Sequence, residues 1–169
     1  MRAIDRSQAV IEFDLNGHVI DANENFLSVV GYSLDEVKGR HHRMFVEDAY
    51  ARSPEYEGFW SKLRRGEPDV GVYLRLGKGG KKVWINASYN LILDNSGKPV
   101  RVVKYATDVT AERLRSQQYQ DAVKDMSAVL SSVADGDLTH QVTGEYGAEL
   151  AQLKSAVNGT IGSLKSMVQ

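Results

Sequence analysis

The apolar residues of this sequence change their spacing once, at Thr110. Before it they recur every second residue in short runs, and after it every third or fourth. Alternation belongs to strands with one buried face, and the longer period to helices with one apolar stripe. Two different architectures therefore meet at that residue.

In the first part, residues 9–14 hold Ile11 and Phe13 at alternate positions, and Asn16-Gly17 turns the chain into residues 18–22, which predicts a hairpin. Asn23 is a good N-cap for a helix through Val30 closed by Gly31, and Ser33 caps a second, carrying Leu34 and Val37 and closed by Gly39. Ser53-Pro54-Glu55 opens an amphipathic helix with Tyr56, Phe59, Trp60 and Leu63 on one face, ended by Gly66. Three strands follow. Residues 69–76 place Val70, Val72, Leu74 and Leu76 on one side, and residues 82–94 do the same with Val83, Ile85, Ala87, Tyr89 and Leu91. Asn95-Ser96-Gly97 then turns into residues 100–108. Successive alternating strands joined by Gly-rich turns predict an antiparallel sheet with one buried face, an α+β fold.

Residues 111–133 contain neither Gly nor Pro, and Tyr119, Val123, Met126, Leu130 and Val133 form a heptad seam. Asp135-Gly136-Asp137 breaks it. A polar connector runs to about Tyr146. A second helix carries Leu150, Val157 and Leu164 at heptad spacing, and Leu153, Thr160 and Met167 likewise. Such narrow stripes do not sustain isolated helices, so these need each other or copies from a second chain. The pattern stops in mid-course at Gln169, which reads as a truncation from something longer. The expected domains are 1–110 and 111–169.

Charge and cysteine usage narrow the chemistry. The 169 residues carry 21 basic and 22 acidic side chains, a net charge of −1 without a basic stripe, which argues against nucleic acid as a partner. Cysteine is absent, which excludes disulfides, thiolate metal sites and any prosthetic group attached through sulfur. No apolar run approaches the roughly 18–20 residues needed to span a bilayer, and Met1-Arg2-Ala3-Ile4-Asp5 does not open a signal peptide. Residues 1–169 are expected to be cytoplasmic, in a full-length protein that is either soluble or membrane-associated.

The order of elements, with Asp14-Leu15-Asn16-Gly17, Asp21-Ala22-Asn23-Glu24-Asn25-Phe26, Gly31-Tyr32-Ser33, Glu36-Val37-Lys38-Gly39-Arg40, Lys78-Gly79-Gly80-Lys81-Lys82-Val83-Trp84, Asp94-Asn95-Ser96-Gly97 and Thr107-Asp108-Val109-Thr110, resembles the PAS fold over about residues 8–110. The runs Gly39-Arg40-His41-His42-Arg43-Met44-Phe45, Glu55-Tyr56-Glu57-Gly58-Phe59-Trp60 and Val103-Lys104-Tyr105-Ala106-Thr107-Asp108 look like the PAS domains of methyl-accepting chemotaxis receptors of the aerotaxis and energy-taxis type. Gly136-Asp137-Leu138, Val142 and Gly147-Ala148-Glu149-Leu150 are similar to the connector and second helix of a HAMP module, although the proline that often opens the first HAMP helix is absent. The resemblance implies a five-stranded antiparallel sheet with flanking short helices, followed by coiled-coil helices of a HAMP-like parallel bundle. It also implies a homodimer through parallel helices and downstream chemotaxis signalling proteins reached through a further C-terminal region.

PAS domains hold small molecules between the sheet and the helical side. Without cysteine, neither the flavin–thiol adduct of light-sensing LOV domains nor a chromophore ester is available. Haem b requires only an axial imidazole and an apolar slot. His41 and His42 lie in the covering region, and His42, with Phe45 beside it, is the better candidate for the ligand. The competing reading has both histidines capping backbone or facing solvent. FAD is the alternative cofactor, with Trp60 matching an aromatic position of aerotaxis receptors, but Val46-Glu47-Asp48 replaces basic residues there and opposes a pyrophosphate. Trp60 equally suits an ordinary core position. Tyr89 is counted with the interior, and Lys104 is a cation for a propionate, phosphate or carboxylate if it faces inward. Trp84 is expected outside the sheet.

No catalytic constellation is visible, because Gly77-Lys78-Gly79-Gly80 sits in a strand–strand turn and His18 and His140 have no metal-ligand spacing with His41 and His42. The expected function is the sensory input and transmission fragment of a chemoreceptor, with Asp108 and Thr110 fixing the junction through which β-sheet movement reaches the helices. Competing readings are a dimerisation platform with an empty pocket, and the input module of a histidine kinase or cyclic-dinucleotide enzyme.

Overall fold

The computed structural model describes residues 8–168, so Met1-Arg2-Ala3-Ile4-Asp5 and Gln169 lie outside the described residues. These divide into two compact units after Thr110.

In the first unit, strands β1 (Ala9–Phe13), β2 (Val19–Ala22), β3 (Asp69–Leu76), β4 (Lys82–Leu93) and β5 (Pro99–Asp108) form one antiparallel sheet in the order β2-β1-β5-β4-β3. Helices α1 (Glu24–Val30), α2 (Leu34–Val37), α3 (Asp48–Ala51) and α4 (Pro54–Arg64) intervene between β2 and β3, with a single 3-10 turn at His42–Phe45. Their ends follow from local chemistry. The Asn23 side chain accepts the Phe26 N–H at 2.9 Å, and Gly31 ends α1 in the left-handed conformation that a side chain would disfavour. Glu36 accepts the Ser33 N–H at 2.9 Å, and Ser53 accepts the Tyr56 N–H at 3.2 Å ahead of Pro54.

The core lies between the inner face of the sheet and these helices, around Phe13, Phe26, Phe45, Trp60, Ile85 and Tyr89. One expected face is reversed. Val70 is 72% exposed and Val72 47%, and the inward positions of β3 are Gly71, Tyr73 and Arg75. The register with β4 decides this: Tyr73 pairs with Ile85 and Arg75 with Val83, and both partners point into the core. Residues paired across a ladder share a face, so the valines of this edge strand must point outward.

In the second unit, α5 (Thr110–Ala134) and α6 (Ala148–Met167) are joined by an extended connector. The Tyr146 hydroxyl donates to Asp125 at 2.5 Å, and Asn158 exchanges both amide bonds with the Val142 backbone at 2.9 and 3.0 Å. The connector therefore runs back along α5, and α6 sets off from beside Asp125 in the same direction as α5. Within the chain, Ala122, Met126 and Val129 of α5 pack with Val142, Tyr146, Leu150 and Val157. The buried seam is thus offset from the expected one. Only Met126 belongs to both, while Tyr119, Val123 and Leu130 are exposed. An α-helix can carry two adjacent apolar stripes, and here the connector and α6 cover just one.

Candidate functional site

The segment before the 3-10 turn is held against the first hairpin. The Val19 N–H donates to the Arg40 carbonyl at 2.8 Å and the His42 N–H to the Gly17 carbonyl at 2.7 Å. This pairing sends successive side chains to opposite sides. His42 points into the core and is fully buried. His41 stays outside it, half-buried and extended at the N-cap of the turn, where its Nδ1 accepts the Arg43 N–H at 3.1 Å. His41 is therefore corrected from a pocket residue to a backbone cap, its ring set edge-on to His18 at 5.2 Å.

Around His42 the interior is polar as well as aromatic. Its Nδ1 lies 2.9 Å from the Tyr56 hydroxyl and its Nε2 3.1 Å from the Tyr89 hydroxyl. The Tyr89 oxygen also accepts from Nη2 of Arg75 at 3.1 Å, and Nη1 of Arg75 donates to the Leu74 carbonyl at 2.8 Å. With its oxygen accepting from a guanidinium that cannot lose its proton, Tyr89 has its own proton free for Nε2 of His42. The imidazole then carries its proton on Nδ1 and gives it to Tyr56. Burial first, then the nearby cations Arg75 and Lys104, holds the His42 pKa well below its ordinary value, consistent with that neutral form. Burial likewise raises Tyr89, and raises Tyr56 to about 12.

Lys104 is fully buried. Its ammonium lies 5.3 Å from the Phe26 ring centre and 5.2 Å from that of Tyr89, and its Nζ has no hydrogen-bond partner among the described residues. The Lys104 pKa is pushed well down, by burial first and then by Arg75. Arg75, 4% exposed, has its guanidinium 4.7 Å from the Tyr73 ring centre, and its Nε is also without a partner.

Of the residues singled out from sequence, His42, Phe45, Trp60, Tyr89 and Lys104 all belong to this interior. Arg75 escaped notice. It stands in a strand whose four apolar residues define the opposite face, and an arginine at an alternating position reads as solvent-facing until register is known. The available signal was Tyr73 two residues before it, a large aromatic out of phase with the valines.

An axial haem does not fit these residues as packed. Iron needs an imidazole nitrogen with a free lone pair, and both nitrogens of His42 are committed to tyrosines. Trp60 does not offer a flavin a free face either. Its ring is buried among Phe13, His41, His42 and Phe59 at centroid distances of 5.5–6.1 Å, and its N–H lies beside the Tyr56 hydroxyl without a hydrogen bond of ordinary geometry.

At the far end of β5 the chain passes into α5 through a single residue, Val109. Asp108 accepts the Thr110 N–H at 2.8 Å, Thr110 Oγ1 accepts the Trp84 N–H at 2.9 Å, and the Val109 N–H donates to the Trp84 carbonyl at 2.8 Å. Trp84 itself is half-buried on the outer side of the sheet, as expected. Among the described residues no helix is long and apolar enough to cross a membrane.

Known proteins resemble this chain in sequence and in fold. The chain is 41% identical over 141 residues to the biofilm dispersion protein BdlA of Pseudomonas aeruginosa, covering 82% of this chain and 34% of that protein. It is 32% identical over 75 residues to the aerotaxis receptor of Escherichia coli, covering 44% and 15%. The chain thus spans about a third or less of these relatives. The crystal structure of a PAS domain from Colwellia psychrerythraea superposes with a TM-score of 0.57 at 23% identity, covering 65% of this chain and 93% of that one, which speaks to the fold alone. The PAS fold family matches residues 19–106. With that match over half its length, and with the sheet order and helical cover described above, this chain belongs to the PAS fold family.

Proposed function

We propose that this chain is the sensory input and signal-transmission segment of a bacterial chemoreceptor. A small molecule taken up between the helices and the sheet shifts β5, and β5 passes the shift to a dimeric helical bundle. The observation that carries the reading is that one strand holds both ends of the path. Lys104 of β5 is buried in the interior, and four residues on Asp108 begins the hydrogen-bonded junction to α5. A junction tied to the Trp84 backbone transmits displacement that a free tether would absorb.

Residues 111–169 act in this reading as half of a HAMP-like parallel four-helix bundle. The second half comes from another copy, which covers the exposed Tyr119, Val123 and Leu130 stripe. Packed bundles switch between discrete arrangements rather than deforming smoothly, so a small tilt at Thr110 is enough to bias them. The names of the relatives, an aerotaxis receptor and a biofilm dispersion protein, support a sensory role.

A second reading, a dimerisation platform, draws support from the dense aromatic filling around His42. Cross-linking separates the two. The chain has no cysteine of its own, so Val123→Cys introduces a unique thiol. Oxidation is expected to give disulfide-linked dimers whose rate of formation changes with ligand. A monomer that never cross-links sinks both readings, and a rate indifferent to every ligand leaves only the platform.

A further inference from the structure

We infer that the interior of the PAS unit is an anion site, in which Lys104 and Arg75 together take the carboxylate or phosphate group of a small molecule. The inference rests on the sensory reading above and names the ligand chemistry it requires.

Among the described residues, the buried polar or charged side chains are His42, Arg75 and Lys104, and no buried carboxylate accompanies them. Asp69, the acidic group acting on Arg75, is only half-buried and is already bound to Lys62 and to the Tyr73 hydroxyl, each at 2.5 Å. The Nζ of Lys104 and the Nε of Arg75 are both left with unused donors. Tyr89 links the two cations, bonded to Arg75 through its hydroxyl and carrying the Lys104 ammonium near its ring. A buried amine without an acceptor is destabilising in either protonation state, and as an ammonium Lys104 is also repelled by Arg75. An apolar residue at position 104 would pack the same space at less cost. The arrangement makes physical sense when an incoming oxyanion supplies the missing acceptor and charge.

A cleft of about 340 Å³ at the β3 edge, bounded by Val46, Tyr50, Val72, Tyr73, Trp84 and Arg75, adjoins Arg75 from outside. Lys104 is not among its walls, so an anion that meets both side chains has to part the packing between them. Glu47 at its rim is paired with Lys82 at 3.7 Å. The dense aromatic packing deeper in favours a compact ligand. Arginine offers a planar fork and lysine a point charge, a pairing suited to holding both oxygens of one carboxylate.

The test is thermal unfolding of the whole 169-residue chain with acetate, pyruvate, succinate, citrate and inorganic phosphate. The amides acetamide and succinamide serve as neutral counterparts. Ligand that binds only the folded state raises Tm. At least one anion is expected to raise Tm where neutral amides do not, with carboxylate and phosphate arms telling the two sources apart. The shift should vanish in Lys104→Met, shrink in Arg75→Gln and return in Lys104→Arg, each variant shown folded by circular dichroism. No shift with any anion overturns the inference, as does a shift that survives Lys104→Met. A neutral compound that binds equally well in all variants overturns it while sparing the sensory reading. Conversely, anion binding by a chain that never cross-links through Val123→Cys upholds the site and removes the transducer.

Discussion

The Nε2 of His42 and the hydroxyl of Tyr89 stand 3.1 Å apart in a fully buried setting, and that same hydroxyl accepts from Arg75. One phenol thus joins the helical cover to the middle and the edge of the sheet. Tyr89→Phe keeps the ring and deletes the link, leaving His42 and Arg75 each short of a partner. A loss of about 1–3 kcal/mol is expected from urea unfolding, since a buried polar group left unsatisfied costs more than the bond it formed. An unchanged midpoint would show that the hydroxyl bonds contribute nothing net.

The state of His42 makes stability depend on pH. Its folded pKa lies well below 6.5, lowered by burial and then by Arg75 and Lys104. The unfolded chain titrates near 6.5 and binds a proton that the folded one excludes. Its contribution is therefore complete above about pH 6.5 and is lost as pH falls below that value, with a slope approaching 1.4 kcal/mol per unit. His41, lowered by its partial burial and by Arg43, adds a slope of the same sign. Denaturant midpoints between about pH 7 and pH 5 should fall steeply in the wild type and less steeply in His42→Phe. Equal slopes would mean that His42 is charged when folded.

Gly17 carries a φ of +83°, and a Cβ there would stand 2.8 Å from Trp60 and 3.1 Å from Nε2 of His41. Gly17→Ala should therefore cost about 1–3 kcal/mol, as over-packing and left-handed strain act together. Tryptophan emission should shift as Trp60 is displaced, and emission identical to the wild type would contradict the close approach.

At the junction, Thr110→Val removes the acceptor of the Trp84 N–H. A side-chain to backbone hydrogen bond of this kind contributes about 1 kcal/mol. Hydrogen exchange should quicken at Trp84, Val109 and the first turn of α5, while Thr110→Ser restores protection. Exchange that stays slow in the valine variant would argue that the junction is held by other means.

Leu130, 50% exposed, lies on the uncovered stripe of α5 with Tyr119 and Val123. Leu130→Glu should convert a dimer into a monomer in sedimentation velocity without altering the unfolding of the PAS unit, because charge in a coiled-coil seam opposes pairing. A monomeric wild type, or a variant that remains dimeric, would remove this stripe as the interface.

Much of the architecture was legible in advance because it is written in local signals. Asn23 and Ser53 cap helices with side chains that accept nearby backbone N–H groups, Glu36 reaches back to the Ser33 N–H, and Val83, Ile85, Ala87 and Tyr89 alternate along a strand whose buried face is unambiguous. The same clarity failed for β3, where a regular alternation of valines marks the outward face and Tyr73 and Arg75 mark the inward one. It also failed for α5, whose two apolar stripes are indistinguishable until a partner covers one of them.

The sequence by itself determined the five strands, the capped helices after Asn23, Ser33 and Ser53, and the absence of thiol chemistry, since propensity, capping and composition act over a few residues, whereas the short helix Asp48–Ala51 and the 3-10 turn at His42–Phe45 carry no such signal. Only the tertiary structure decided which way His41, His42, Arg75 and Lys104 point. Strand register is a long-range property, and a shift of one residue exchanges the two faces of a strand. The buried cations at the centre of the unit exist because β3, β4 and β5 pair as they do.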